Sequence, residues 1–308
     1  MKVLAGTVLT FCYAFSPLPG AYAWGASGHQ AVGYIAMQFL TPNALSFVQE
    51  TLGSQYNRSL GVAATWADET RSNPAYAWSS PLHYVDALDN PPRTCNVNQT
   101  RDCTDGACVL TAIANYTIRV IDESLSATQT QEALKFLDHF IGDIGQPLHV
   151  ENDAVGGNDI SVKCSGSTSN LHSVWDSGLI NRLLQTNYDN SVTNWVNTLV
   201  TRIKTGTYRS SAAGWISCSS TTQTEFSDDT ATSGKLVRRA APLACPLVWA
   251  RESNALVCSY VFTYPQFSDL CSTNYYTGAV PLIETQIAKQ GYRLAAWLNV
   301  LFDGRTGL

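Results

Sequence analysis

Charge is scarce in this sequence: only 14% of the 308 residues are Asp, Glu, Lys or Arg. The 19 lysines and arginines, against 24 acids, nowhere gather into a block. An acidic chain without basic blocks has no broad phosphate-neutralising surface, so an anionic partner must be attracted locally, and bound metal is the obvious source. Gly/Ser-rich or Pro-rich linkers, repeats and charge blocks that would divide the chain are also missing, which points to one large domain. The apolar run near the N-terminus is too short to span a membrane. Set against these absences are 45% hydrophobic and 10% aromatic residues, enough to bury a large core and to exclude disorder.

Nine cysteines would sit poorly in a reducing cytosol. Met1 and Lys2, followed by Val3, Leu4, Ala5, Val8, Leu9, Phe11 and Phe15, read as a secretory signal, and Ala21-Tyr22-Ala23 fits a small-x-small cleavage site. Removing residues 1–23 from 308 leaves 285, residues 24–308, expected to form a single domain that starts at Trp24. That cut discards Cys12 and leaves eight cysteines, an even number suited to up to four disulfides, whose pairing spacing alone does not fix. Sequons at Asn57, Asn98 and Asn115 agree with a secretory route. The expected product is secreted and glycosylated, with no membrane association and no obligate protein partner.

The periodicity is helical. Val32, Ile35, Ala36, Phe39 and Leu40 mark one apolar face; Ala133, Leu134, Phe136, Leu137, Phe140, Ile141 and Ile144 mark a second; Leu171, Val174, Trp175, Leu179 and Leu183 mark a third. The stretches 194–203, 253–262 and 283–301 read the same way, whereas strand-like alternation is short and scattered, so the fold class is mainly α. Turn formers and cysteines concentrate in 90–108, 155–169 and 217–246, which suggests loops stapled by disulfides. Thr128 with Gln131 fits a capping box opening the helix that carries His139, and Gly145-Gln146-Pro147 should close it.

Two histidines stand four residues before aspartates: His139 with Asp143, and His172 with Asp176. On a helix each pair shares a face, offering an imidazole nitrogen and a carboxylate oxygen to one point. His149 follows just past the Pro147 break, where the chain can fold back. Upstream, His29 lies five residues after Trp24, Asp68 sits in a helical segment, and His83 opens His83-Tyr84-Val85-Asp86. A single histidine is most simply a hydrogen-bonded structural residue. Two His-x-x-x-Asp pairs with a third histidine beside them point to metal, and the imidazole–carboxylate mix favours zinc.

These residues resemble the secreted trinuclear-zinc, single-strand-specific nucleases of fungi and plants, relatives of bacterial zinc-dependent phospholipase C. The resemblance is carried by Trp24-Gly-Ala-Ser-Gly-His29, Ala64-Thr-Trp-Ala-Asp68, His83-Tyr-Val-Asp86 and Asn90-Pro-Pro92. It continues through Phe140-Ile-Gly-Asp143, Gln146-Pro-Leu-His149, Gly156-Gly-Asn158, Asn170-Leu-His172 with Trp175-Asp176, and the 287–297 stretch. It implies a mainly α-helical domain holding three Zn2+ ions: one on Asp68, His83, His139 and Asp143, a second on His149, His172 and Asp176. The third would lie on His29, a bridging Asp143, and the free amine and carbonyl of Trp24, so the precursor should stay inactive until the Ala23-Trp24 bond is cut.

The resemblance also implies zinc-assisted hydrolysis of phosphodiesters in single-stranded DNA and RNA to 5'-phosphorylated products, with 3'-mononucleotides as a further substrate. Asp68 would orient the attacking water and Arg71 would stabilise the phosphoryl transition state, the alternative for Arg71 being an exposed i, i+3 pair with Asp68. Tyr84, where the family often carries Phe, and Val155 would sandwich a base, Asp86 would accept from its edge, and Asn158 would contact substrate or merely supply a turn. Disulfides Cys95–Cys258 and Cys103–Cys108 match the family, while the pairing of Cys164, Cys218, Cys245 and Cys271 stays open. Arg238 and Arg239, in the long 217–246 loop, are read as a solvated pair. The alternatives are a zinc-dependent phospholipase C and a non-catalytic secreted zinc-binding protein.

Overall fold

A computed structural model describes residues 24–224 and 243–308; the expected signal segment, residues 1–23, and the Arg238-Arg239 pair lie outside the described residues. Helices α1 (Ala26–Met37) and α2 (Pro42–Leu52) lead into two short helices, α3 (Leu60–Ala63) and α4 (Trp66–Thr70). After α5 (Gln99–Asp102) come α6 (Val109–Arg119) and α7 (Ala127–Asp143). An antiparallel hairpin, β1 (Ser161–Cys164) and β2 (Ser167–Asn170), pairs Ser161 with Asn170 and Cys164 with Ser167. The remainder is helical: α8 (Leu171–Ser173), α9 (Leu179–Asn187), α10 (Val192–Lys204), α11 (Arg209–Trp215), α12 (Ala244–Ser259) and α13 (Asn274–Asp303). The mainly α expectation holds.

Local chemistry sets the ends of α7. The capping box is formed by Ser126, not Thr128: its Oγ accepts from Gln129 N at 3.4 Å while Gln129 Oε1 accepts from Ser126 N at 3.1 Å. Ser126 and Thr128 both precede a glutamine by three residues, and tertiary contact decides between them, because Gln131 is drawn away to donate to Thr51 O at 2.8 Å. The helix stops at Asp143, and Gln146 Oε1 accepts from Leu148 N at 2.6 Å to start a 3-10 turn over Pro147–Val150. The third apolar stretch departs from a continuous helix: α8 passes into a π turn at Val174–Gly178 before α9 begins. Such single-turn π insertions re-aim side chains and are frequent at functional sites.

One connected core runs from Trp24 to Leu298, with Trp24, Trp175, Trp195, Trp249 and Trp297 all fully buried. Helix α13 is its longest element and packs along α1, α2 and α7. The α1–α13 contact is close because Gly291 has no side chain: a Cβ there would lie 2.6 Å from Ile35 Cβ and 2.9 Å from Val32 O. Two buried charged side chains of the core, Glu284 and Arg293, are held by several partners each. Glu284 accepts from Tyr188 Oη at 2.8 Å, Trp195 Nε1 at 3.3 Å and Arg202 Nη1 at 2.6 Å. Arg293 spans from Trp215 O, at 2.9 Å, to Glu252, at 2.6 Å.

Four disulfides close the loops. Cys95–Cys258 and Cys103–Cys108 pair as the resemblance implied, and the four other cysteines among the described residues pair as Cys164–Cys271 and Cys218–Cys245. The sequon asparagines Asn57, Asn98 and Asn115 are all exposed. No helix of the described residues is long and apolar enough to cross a membrane.

Since α1 carries His29, its seating on α13 bears on the site as well as on stability. Gly291→Val is expected to destabilise the protein by roughly 2 to 3 kcal/mol through overpacking, read as a lowered midpoint in urea unfolding.

Candidate metal centre

Five histidines and three aspartates from six separate segments meet at one end of α7. His29 comes from the first turn of α1, Asp68 from α4, and His83 from the end of a 3-10 turn at Ala77–His83. His139 and Asp143 stand one turn apart on α7, and His149 follows in the next 3-10 turn. His172 lies on α8 and Asp176 in the π turn. All eight are buried. Gly142 makes room for His29, since a Cβ there would sit 2.8 Å from His29 Nδ1, and the His29 ring instead stacks on His139 with centroids 3.7 Å apart.

Asp143 is the hub. Its Oδ2 lies 3.0 Å from His83 Nδ1 and 3.4 Å from His139 Nε2, and its Oδ1 lies 3.2 Å from His29 Nε2 and 3.7 Å from His149 Nδ1. Asp68 Oδ1 approaches His83 Nδ1 at 3.7 Å, His139 Nε2 at 3.6 Å and Arg71 Nη2 at 3.5 Å. Asp176 faces His172 Nε2 at 3.2 Å and His149 Nε2 at 3.8 Å. Ligand atoms converge within 4.8 Å in three groups: His83–His139–Asp143, His149–His172–Asp176, and His29–Asp68–His139. His29 thus reaches Asp68 and His139 as well as the expected Asp143. A fourth acidic group includes Cys95, which is tied up in a disulfide. Trp24 is buried at the head of α1, and Gly25 N donates to Asp176 O at 2.8 Å, fastening that end to the second group.

A surrounding set of acceptors fixes the ring orientations. Nδ1 of His139 donates to Ala64 O at 2.7 Å, that of His149 to His83 O at 2.9 Å, and that of His172 to Gly156 O at 2.7 Å. Each bond turns Nε2 toward the carboxylates, as in metal sites where an outer acceptor sets the tautomer. Gln146 Nε2 donates to Asp176 Oδ1 at 2.5 Å. The Gly156 carbonyl is available because residues 154–157 run through four consecutive left-handed conformations, and a Cβ at Gly156 would meet Leu148 O at 2.6 Å. Gln146 and Gly156 were not singled out for this role from the sequence, since partners joined only by tertiary folding leave no spacing signal.

Protons alone leave this cluster badly matched. Burial, with His139 adding its charge, holds His29 and His83 well below the usual imidazole range; burial and His172 do the same for His149. Burial also drives the Asp143 carboxyl well up. Burial opposes charge on His139 and Asp68 too, yet Asp143 and then Asp68 lift His139 to about 9, while His139, with His29 and His83, holds Asp68 far below the carboxylate range. Buried atoms with no hydrogen-bond partner include His29 Nε2, Asp68 Oδ1, His83 Nε2, His139 Nε2, His149 Nε2 and Asp176 Oδ2. Each such atom costs about 1 to 3 kcal/mol if unmatched. Imidazole nitrogens and carboxylate oxygens converging without protons between them suit divalent cations, so these groups fit metal.

A cleft of about 190 Å³ opens onto this cluster. Arg71, His83, His149 and His172 line it together with Tyr84, Asp86, Val155 and Asn158. Tyr84 is 39% and Val155 62% exposed. Val155 holds φ at 56°, a strained setting for a β-branched residue, and Asn158 Nδ2 braces it by donating to Val155 O at 2.9 Å. Asn158 therefore supplies the turn while lining the cleft. Burial raises the Asp86 carboxyl, with Asp102 adding to the effect. Glu151 and Asn152 also line the cleft and were not picked out from the sequence. Burial pushes Glu151 up to about 7, against the amides of Asp153 and Asn152 that it accepts at 2.8 and 2.9 Å.

The family model described as S1/P1 Nuclease matches residues 24–303. Nuclease P1 of Penicillium citrinum is 43% identical over 280 residues, covering 90% of this chain and 97% of that protein. Nuclease S1 of Aspergillus oryzae is 40% identical over 284 residues, covering 91% and 92%. Endonuclease 4 of Arabidopsis thaliana is 33% identical over 298 residues, covering 93% and 91%.

Because Asp143 touches four histidines, Asp143→Asn is expected to lose more than one equivalent of bound metal per chain, measured by elemental mass spectrometry. Full metal content with normal activity in that variant would refute a shared carboxylate.

Proposed function

The chain belongs to the S1/P1 nuclease family, and we propose that it is a secreted, zinc-dependent endonuclease that cuts single-stranded DNA and RNA to 5'-phosphorylated ends, with 3'-mononucleotides as a second substrate. One observation carries the reading: the cleft that opens onto the His/Asp cluster is also lined by a cation, Arg71, and by exposed Tyr84 and Val155. Catalytic groups and a candidate base slot thus share one space.

In this reading three Zn2+ ions are held, one by Asp68, His83, His139 and Asp143, one by His149, His172 and Asp176, and one by His29, Asp143 and the Trp24 amine and carbonyl. When bound, such ions neutralise phosphate charge and activate water near neutral pH. Asp68, buried and with Oδ1 lacking a hydrogen-bond partner, accepts a hydrogen bond from the attacking water and aligns it with phosphorus. Arg71, 3.5 Å from Asp68, offers its fork of N–H donors to the phosphoryl oxygens as charge builds on them. Tyr84 and Val155 clasp one base between them, and Asp86 accepts from its edge. Duplex DNA is then a poor substrate, because a stacked base enters the slot only after unstacking, at a few kcal/mol.

Secretion follows from the 1–23 signal and accords with four disulfides and exposed Asn57, Asn98 and Asn115 as glycosylation sites. Cleavage after Ala23 would free the Trp24 amine for the third ion, leaving residues 24–308 as the catalytic domain.

The direct test uses protein beginning at Trp24, a single-stranded oligonucleotide and its duplex. Fast, chelator-sensitive cutting of the single strand to 5'-phosphate ends is expected. Cutting that ignores strandedness would remove the base slot from the account, and no cutting by zinc-loaded protein would return it to a phospholipase or a non-catalytic zinc protein. Val155→Gly separates slot from fold: relief of the positive φ should keep the melting temperature at or above the starting value, while KM for single strands rises severalfold.

A further inference from the structure

The 3-10 turn that ends on His83 carries an exposed aromatic at its start: Trp78 is 54% exposed. Its indole is held in place, with Nε1 donating to Ala75 O at 2.8 Å and the ring leaning on Phe136 at a centroid distance of 5.7 Å. Beside it runs a groove of about 300 Å³, lined by Trp78, Phe136, Arg119, Gln129, Glu132 and Asn115. Asn115 is exposed on α6 and opens the sequon Asn115-Tyr116-Thr117. Ile118, on the same face of α6, is 55% exposed and extends the apolar surface around it. Thr117 is buried, and its Oγ1 accepts from Trp297 Nε1 at 2.9 Å. The sequon is therefore readable only before α6 packs, whereas Asn115 still lines the groove in the finished fold.

We propose that this groove is the seat of the N-glycan on Asn115, whose two inner N-acetylglucosamines fold back and stack on Trp78. The inference rests on glycosylation of Asn115 and on nothing in the metal cleft. A pyranose has a flat face of C–H groups that covers an indole ring, and an edge of hydroxyl and acetamide groups. Arg119 and Gln129 offer N–H donors to that edge, and Glu132 and Gln129 offer acceptor oxygens. A single sugar–indole contact is weak between separate molecules. Attachment to Asn115, on the wall of the same groove, makes it intramolecular and raises its effective concentration. The seated glycan would cover Trp78 and tie α6 to the turn at Ala77–His83, so a modification on the surface steadies the segment that delivers His83 to the cluster.

The test uses full-length protein secreted by a glycosylating host, with the Asn115 peptide checked by mass spectrometry. Wild type, Asn115→Gln, Trp78→Ala and the double variant are then melted side by side. Trp78→Ala also loses its contact with Phe136 in either background, so the quantity read is the difference between backgrounds. Trp78→Ala is expected to lower the melting temperature by roughly 2 to 4 °C more when Asn115 carries its glycan than when it is Gln. Amides of residues 77–83 should exchange hydrogen severalfold faster in Asn115→Gln than in wild type. Wild type stripped by a peptide N-glycosidase after folding should show the same faster exchange, which keeps the comparison open even where Asn115→Gln does not fold. Equal losses in both backgrounds, with exchange at 77–83 unchanged by removal of the glycan, overturn the seat and leave glycosylation standing. An Asn115 peptide without sugar overturns both.

Discussion

Everything in this protein is arranged around the burial of Asp143 amid four histidines. An ionised carboxylate in a water-free core is tolerated only with cations or strong donors beside it. Of these four histidines His139 alone is held in its charged form, since burial keeps His29, His83 and His149 neutral, and one imidazolium does not match the converging carboxylates. Metal ions would resolve the conflict, and their positive charge would attract a phosphodiester to a protein whose overall balance is acidic.

The scaffold exists to hold six segments at that point. Helix α7 brings His139 and Asp143 on one face, and its end is set by Pro147 and by the Gln146 bond to Leu148 N. Backbone carbonyls of Ala64, His83 and Gly156 aim three imidazoles. Small residues matter where elements nearly touch: Gly142 admits His29, and Gly291 lets α1 lie on α13. Val155 beside the cleft and Phe267 in the turn at residues 264–267 are two of the non-glycine residues at positive φ. These positions contribute little to the core, and both present apolar surface to solvent.

The helical class, stretches of α1, α7, α10, α12 and α13, and the two His-x-x-x-Asp pairs were legible in the sequence, because period 3.6 and i, i+4 spacing report on neighbours within one helix. His139 with Asp143 and His172 with Asp176 are of that kind. The second pair keeps its one-turn spacing although a π turn replaces the regular helix beneath Asp176. The capping box lies two residues earlier because Ser126 and Thr128 offer the same pattern, and the contacts of Gln131 with Thr51 and Gln55 separate them.

What the sequence determined by itself was the inventory: which donors are present, which lie one turn apart, and which family they resemble. What only tertiary structure decided was convergence. The placing of His29 within 3.2 Å of Asp143, the pairing of Cys164 with Cys271 and Cys218 with Cys245, and the carbonyls that orient the histidines all join residues distant in the chain. Such contacts form when apolar faces are buried together, and burial is a property of the assembled core that no local spacing encodes.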